Sequence, residues 1–187
     1  MSIAEGDSQI VCEMARGDRG AISRLMARYH VRVYRFVASR VRSEAVAEEI
    51  ANEVFLEAWR SAGRFEGQSS VATWLLAIAR NKAVDTMRRR REESWNDDAA
   101  DELADEHDDP EVAAQKVDKG AIMRRCIERL SADHREVIDL VYYHEQSVAE
   151  VAAVLDVPEA TVKTRMFYAR KKLAELLREA GIDRGWP

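Results

Sequence analysis

The stretch from residue 147 to residue 177 limits the possible folds most. It carries two runs of apolar residues at helical spacing, separated by residues that end a helix. Ser147 with Glu150 three residues later forms a capping box, which predicts the start of a helix. Asp156 and Pro158 interrupt the apolar repeat and predict a turn before a second helix. The apolar residues of that second helix fall on one stripe: Val162, Met166, Ala169, Leu173, Leu176 and Leu177. The stretch therefore predicts a helix-turn-helix.

The second helix also has a face that suits DNA. At about 100° per residue, one set of side chains points away from the apolar stripe. This set contains Ala160, Lys163, Thr164, Phe167 and Lys171, with Arg165 and Arg170 beside it. It offers donors for phosphates and base edges and few acidic groups to repel a duplex. Asp156 stands where such turns usually have glycine, and Asp tolerates the positive φ expected there. A plain helical hairpin with a basic surface is the alternative.

Composition favours an all-α chain. The chain has 187 residues, of which 47% are hydrophobic, with three prolines and eight glycines. No apolar run approaches the roughly 20 residues that span a bilayer, and the first residues show no secretion signal, so we expect a cytoplasmic protein. No metal-ligand spacing, cofactor fingerprint or catalytic motif is present, so we expect no metal, no cofactor and no enzyme activity. Cys126 lies on an apolar stripe and is expected in the core.

Charge is unevenly distributed along the chain, with one acidic segment between two mildly basic regions. The net charge is −5, which alone argues against a nucleic-acid binder. Residues 92–118 hold twelve acidic side chains and one lysine, a net of −11, so the remainder carries +6. The nearly apolar-free run 93–111 predicts a flexible acidic linker. We therefore expect two small helical domains, at 1–92 and 112–180, followed by a tail at 181–187.

The N-terminal domain is predicted to hold four helices. They lie within 1–18, 19–41, 43–62 and 71–91. In the third helix, Phe55 and Trp59 lie beside the apolar face and are interpreted as exposed. A loop at 63–70 precedes the fourth helix, whose second half is basic. The C-terminal domain is predicted to add helices at 112–130 and from 131 or 133 to about 142 before the helix-turn-helix.

Three stretches together resemble one family. They are residues 48–59, residues 73–85 before an arginine run, and residues 161–173. Their order, their spacing and the acidic linker resemble the extracytoplasmic-function (ECF) group of bacterial RNA polymerase sigma factors, over about residues 8 to 178. The resemblance implies an all-α fold with two helical domains, called region 2 and region 4.

The resemblance also implies partners and sites. Region 2 would dock on the clamp helices of the polymerase β′ subunit through Glu49, Asn52, Glu53, Phe55 and Trp59. It would hold the melted −10 strand through Phe65, Gln68, Ser69, Ser70, Arg80, Asn81 and Arg88. Region 4 would rest on the β flap and read the −35 duplex through Thr161, Lys163, Thr164, Arg165, Phe167 and Lys171. The resemblance further implies a monomer, control by an anti-sigma factor, and a role in a stress or envelope response.

Two other functions stay open on the sequence alone. A stand-alone dimeric helix-turn-helix regulator explains the C-terminal stretch, but it leaves the aromatic pair and the arginine-rich helix without a role. The second alternative is a helical adaptor or antagonist that binds only protein, and the basic faces argue against it. An enzyme is the least supported class.

Overall fold

The computed structural model describes residues 3–41, 43–96 and 119–182, and all regular structure in these ranges is helical. The N-terminal domain contains α1 (Ile3–Ala15), α2 (Arg19–Ala38), α3 (Glu44–Ser61), a 3-10 turn (Ala62–Arg64) and α4 (Val71–Asn96). The C-terminal domain contains α5 (Lys119–Glu128), α6 (Ala132–Ile138), a π-helical turn (Asp139–Tyr143), α7 (Val148–Leu155) and α8 (Glu159–Glu179). None of the helices in the described ranges is long and apolar enough to cross a bilayer.

Side-chain caps fix where several helices begin. Asp18 accepts a hydrogen bond from the backbone of Gly20 at the start of α2, and Ser43 accepts one from Val46 at the start of α3. Such caps satisfy backbone N–H groups that have no partner within the helix. The predicted capping box is confirmed at the start of α7, where the Ser147 side chain and the Glu150 side chain bond each other's backbone.

The turn of the helix-turn-helix has the predicted backbone. Asp156 has φ 53° and ψ 51°, the left-handed conformation in which α7 ends. The following residue, Val157, donates from its backbone to the carbonyl of Ala152 at 3.1 Å. Asp156 thus takes the position that glycine often holds. This turn fixes the direction in which α8 leaves α7.

Both domains are built on the predicted apolar faces. In α3 the predicted inner face is fully buried: Ala47, Ile50, Ala51, Val54 and Ala58. In α8 the predicted stripe is also buried: Val162, Met166, Ala169, Leu173, Leu176 and Leu177. Cys126 is 3% exposed, so its predicted place in the core is confirmed. Helix α3 packs against both α2 and α4, which makes it the centre of the N-terminal domain.

Several helix boundaries differ from the sequence prediction, and α2 ends at Ala38 rather than at residue 41. Helix α4 continues to Asn96, four residues into the predicted linker, because residues 92–96 contain no glycine or proline to stop it. The helix predicted to reach residue 142 changes from α to π geometry at Asp139. The rest of the predicted linker and the predicted helix start at residue 112 lie outside the described residues.

The two domains pack against each other. Helix α4 packs against α7. Phe36 on α2 meets the His144 ring edge-on, with ring centroids 5.3 Å apart. Arg32 on α2 donates to the backbone carbonyl of His144. We call this contact region, formed by α2 and α4 on one side and residues 136–150 on the other, the domain seam.

Candidate functional site

One surface predicted from the sequence lies on the outer side of α3. Glu49 and Asn52 are exposed there, and Glu53 is half-buried, with its carboxylate 3.3 Å from the ammonium of Lys82 on α4. Trp59 is half-buried and packs against the core. The α3 surface therefore keeps its predicted acidic and polar groups, but it does not present Trp59 as a free aromatic side chain.

The prediction that Phe55 is exposed is wrong. Phe55 is 2% exposed, and the ring of His30 on α2 stacks on it with centroids 6.0 Å apart. The physical reason is that α3 packs on two neighbouring helices, so its apolar face is wider than a one-sided helix requires. Phe55 is a core residue of the N-terminal domain.

Leu56 is the exposed apolar residue that the sequence reasoning missed. Its side chain is 57% exposed. It follows Asn52 by four residues and Glu49 by seven, a spacing that puts all three on one helical face. That spacing is visible in the sequence and could have pointed to Leu56. An exposed leucine among acidic and amide groups has the character of a protein-docking surface.

A cleft of about 540 Å³ separates α3 from α4 and joins two of the predicted sites. Glu49, Glu53 and Glu57 line its α3 side. Its α4 side carries three cations, one carboxylate and neutral polar groups: Lys82, Arg89, Arg90, Asp85, Asn81 and Thr86. The cleft is thus acidic on its α3 side and carries a net positive charge on its α4 side.

The loop between the 3-10 turn and α4 holds part of the second predicted site, the one for the melted −10 strand. Phe65 is half-buried against Trp74, with ring centroids 4.9 Å apart and a tilt of 41°. Gln68 is exposed and donates to Glu66 Oε2 at 2.6 Å. Ser70 caps α4, since its Oγ accepts from the backbone N–H of Thr73 at 3.1 Å. Ser69 lies between these groups, half-buried, and completes the loop.

The basic half of α4 continues from this loop. Asn81 is exposed, and Arg88 is exposed although it lies 3.3 Å from Asp85. Arg80 is different, because its Nε donates to Glu136 Oε1 across the domain seam at 3.1 Å. Two of the three predicted strand-binding residues of α4 are therefore accessible, and Arg80 is held by the C-terminal domain.

The loop also touches the C-terminal domain. The hydroxyl of Thr73 lies 2.8 Å from Gln146 Oε1 and 3.1 Å from Glu150 Oε1, and the hydroxyl of Ser70 lies 3.2 Å from the same Glu150 oxygen. Burial alone raises the pKa of the Glu150 carboxyl, but hydrogen bonds from Ser147, Thr73 and Ser70 outweigh burial and lower it. A carboxylate therefore stays ionised beside the predicted strand-binding loop.

The third predicted site, the residues expected to read the −35 duplex, lies on α8. Lys163, Thr164, Phe167 and Lys171 are exposed on one face, as the helical period predicted, and Phe167 has 65% of its surface accessible. Thr161 is half-buried. Arg165 turns away from this face, because its guanidinium lies 2.7 Å from a carboxylate oxygen of Asp133 on α6. Four of the six residues are thus on the accessible face of α8.

Comparisons with known proteins match both domains. Residues 25–93 match the family model of sigma-70 region 2, and residues 121–173 match that of sigma-70 region 4. The chain is 31% identical to the RNA polymerase sigma-H factor of Pseudomonas aeruginosa, covering 96% of this chain and 100% of that one. It is 30% identical to the ECF RNA polymerase sigma factor SigM of Mycobacterium tuberculosis, covering 91% and 84%. The fold and its surfaces therefore define a transcription initiation factor of the sigma-70 type.

Solved structures agree with this class. CnrH, in complex with the cytosolic domain of CnrY, aligns with a TM-score of 0.68 and 25% identity over 92% of this chain and 97% of that one. The sigma factor RpoE of Bartonella quintana, in complex with the anti-sigma factor NepR, aligns with a TM-score of 0.68 and 26% identity over 87% and 98%. The chain belongs to the ECF group of RNA polymerase sigma factors, as its three sequence stretches predicted. It binds core polymerase and directs promoter recognition, and a stand-alone dimeric regulator is not favoured.

Proposed function

We propose that the two domains divide promoter recognition between them. Residues 1–92 dock on the clamp helices of the polymerase β′ subunit and hold the melted non-template strand of the −10 element. Residues 112–180 rest on the β flap and read the −35 duplex. The observation that carries the proposal is the separation of surfaces by charge: an acidic face on α3, a basic face on α4, and an outward basic face on α8.

The α3 surface supports docking on a basic helical partner. Glu49 and Asn52 are exposed around the accessible side chain of Leu56, and Glu53 lies at the edge of the adjoining cleft. Carboxylates steer a basic partner, while a desolvated apolar anchor supplies most of the binding energy. Leu56 takes the anchoring role that was predicted for Phe55, and Trp59 supports the surface from below.

The loop and α4 support capture of an unpaired strand. Aromatic side chains stack on unstacked bases, and cationic side chains follow the phosphates of the strand. The half-buried pair of Phe65 and Trp74 lies beside the polar loop residues Gln68 and Ser69. Asn81 and Arg88 then continue along α4. Strand opening needs only that this site bind the unpaired strand better than the duplex, by the few kcal/mol that unstacking costs.

The C-terminal domain supports duplex reading and a second docking site. Lys163 and Lys171 on α8 suit phosphates, Thr164 suits a base edge, and Phe167 suits a thymine methyl group. The apolar groove of about 700 Å³ between α5, α6 and the second half of α8 lies farther along the helix and suits the β flap. Control by an anti-sigma factor, the monomeric state and a role in a stress or envelope response stay predictions.

Reconstituted transcription tests the proposed function. Core polymerase with this protein should produce specific transcripts from a genomic promoter library that core polymerase alone leaves silent. The same library supplies the −10 and −35 sequences by alignment of the transcript starts. If no library member is transcribed although the protein co-purifies with core polymerase, promoter recognition as proposed here is wrong.

A pair of neighbouring lysines tests the reading face of α8. Lys171→Ala should weaken binding of the holoenzyme to an active promoter and lower the slope of log affinity against log salt by about 0.9 for the lost phosphate contact. Lys172→Ala is the matched control, because Lys172 lies on another side of α8, 3.5 Å from Glu175. Filter binding over a potassium chloride series measures both slopes. Equal slopes for the two variants would remove Lys171 from the contact surface.

A further inference from the structure

Two arginines of the N-terminal domain converge on acidic side chains of the C-terminal domain. Arg40, just after α2, lies 3.0 Å from Asp139 and 3.4 Å from Glu136. Arg80 on α4 lies 3.1 Å from the same oxygen, Glu136 Oε1. All four side chains are at most 25% exposed, so the group lies within the domain seam rather than on the open surface.

We propose that Glu136 and Asp139 form an acidic latch that occupies a phosphate-binding site made by Arg40 and Arg80. This inference rests on the proposed function and adds Arg40 to the strand-binding residues. The planar fork of arginine binds a carboxylate and a phosphate in the same bidentate way. The latch carboxylates and a DNA backbone therefore compete for the same two guanidinium groups, and the free protein binds single-stranded DNA more weakly while the latch is in place.

The position of the two arginines supports a phosphate ligand. Arg80 precedes Arg88 by two helical turns, about 12 Å along α4 at about 1.5 Å per residue. A strand that runs along α4 from Arg88 to Asn81 reaches Arg80 next, and Arg40 contacts the same carboxylate oxygen as Arg80. The site thus extends the proposed strand path at its end nearest the strand-binding loop.

A second contact closes the same path. Glu150 accepts hydrogen bonds from Ser70 and Thr73, at the loop where α4 begins. Its carboxylate and the latch lie between residues 136 and 150 of the C-terminal domain, which face α4 and the end of α2. When the domains separate to reach two promoter elements, both acidic groups leave the strand path together. The binding of DNA and the opening of the seam are therefore one coupled equilibrium.

Removing the latch charges should reveal the hidden site. The variant Glu136→Gln with Asp139→Asn keeps the side-chain sizes but no longer supplies competing anions. The free variant should bind a fluorescein-labelled 15-nucleotide single strand of mixed sequence about tenfold more tightly than the wild type, because the binding-competent fraction rises. Fluorescence anisotropy at low salt measures the affinities, and circular dichroism checks that helix content is kept.

Two further variants make the test specific. Glu128→Gln with Glu179→Gln removes the same charge from exposed positions of α5 and α8, outside the seam, and should change the affinity less than about twofold. Adding Arg40→Ala to the latch variant should abolish the tenfold gain. An equal gain in the control variant, or a gain that survives the loss of Arg40, overturns the latch.

The latch and the proposed function can fail separately. If wild-type holoenzyme initiates at promoters while the latch variant gains no affinity for the oligonucleotide, the latch is wrong and the proposed function stands. If the latch variant gains affinity through Arg40 but no promoter is transcribed with core polymerase, the hidden phosphate site stands and the proposed promoter function is wrong.

Discussion

Phe55→Ala is expected to lower the free energy of unfolding of the N-terminal domain by about 3–5 kcal/mol, since removing a fully buried aromatic side chain leaves a cavity in the core. The ring lies between α3 and α2, against His30, and is only 2% exposed. A loss of this size is a large share of the total stability of a small domain. Urea unfolding followed by circular dichroism measures it.

Leu56→Ala is the matched control on the next residue of α3. Because Leu56 is 57% exposed, its loss should change the free energy of unfolding by no more than about 0.5 kcal/mol. It should weaken binding to core polymerase about fivefold or more, as expected for an anchor residue. If Phe55→Ala instead leaves stability unchanged and weakens polymerase binding, Phe55 belongs to the docking surface after all.

Acidification is expected to destabilise the protein through His144. Burial lowers the pKa of this imidazole, and the nearby guanidiniums of Arg32, Arg40 and Arg35 lower it further against the opposing charge of Asp139. Once exposed, the ring takes up a proton near pH 6.5 that the buried ring excludes. The free energy of unfolding should therefore fall as the pH drops below about 6.5, by at most about 1.4 kcal/mol per pH unit for one proton.

A non-titrating side chain isolates this effect. His144→Gln should show a shallower fall in urea stability between about pH 7.5 and 5.5 than the wild type, because the amide that replaces the imidazole takes up no proton in this range. Identical slopes for the wild type and His144→Gln would show that another group controls the acid response.

Helix positions and inner faces could be predicted from the sequence because they depend on local chemistry. Caps such as Ser43 and Ser147 and the apolar period of α8 act within a few residues. The same local rules failed at Phe55, since its burial depends on a helix that lies elsewhere in the chain. A face packed on two sides cannot be distinguished from a one-sided face by its period alone.

The domain seam could not be predicted for the same reason. Arg80 and Glu136 are 56 residues apart, and Arg40 and Asp139 are 99 apart, with the acidic segment between them. Sequence reasoning assigned Arg80 to DNA from the basic half of α4 and gave Arg40 no role. Only the packing of α6 and α7 against the N-terminal domain reveals that these cations already have anionic partners.

Because α8 is divided into a buried stripe and an exposed face, its exposed residues can be exchanged to change promoter preference without disturbing the core. Substitutions at Lys163, Thr164, Phe167 and Lys171 remove little buried surface, so each should cost no more than about 0.5 kcal/mol of stability. A library randomised at these four codons should yield folded factors with altered −35 preferences. Such variants would drive separate sets of genes in one cell without competing for each other's promoters.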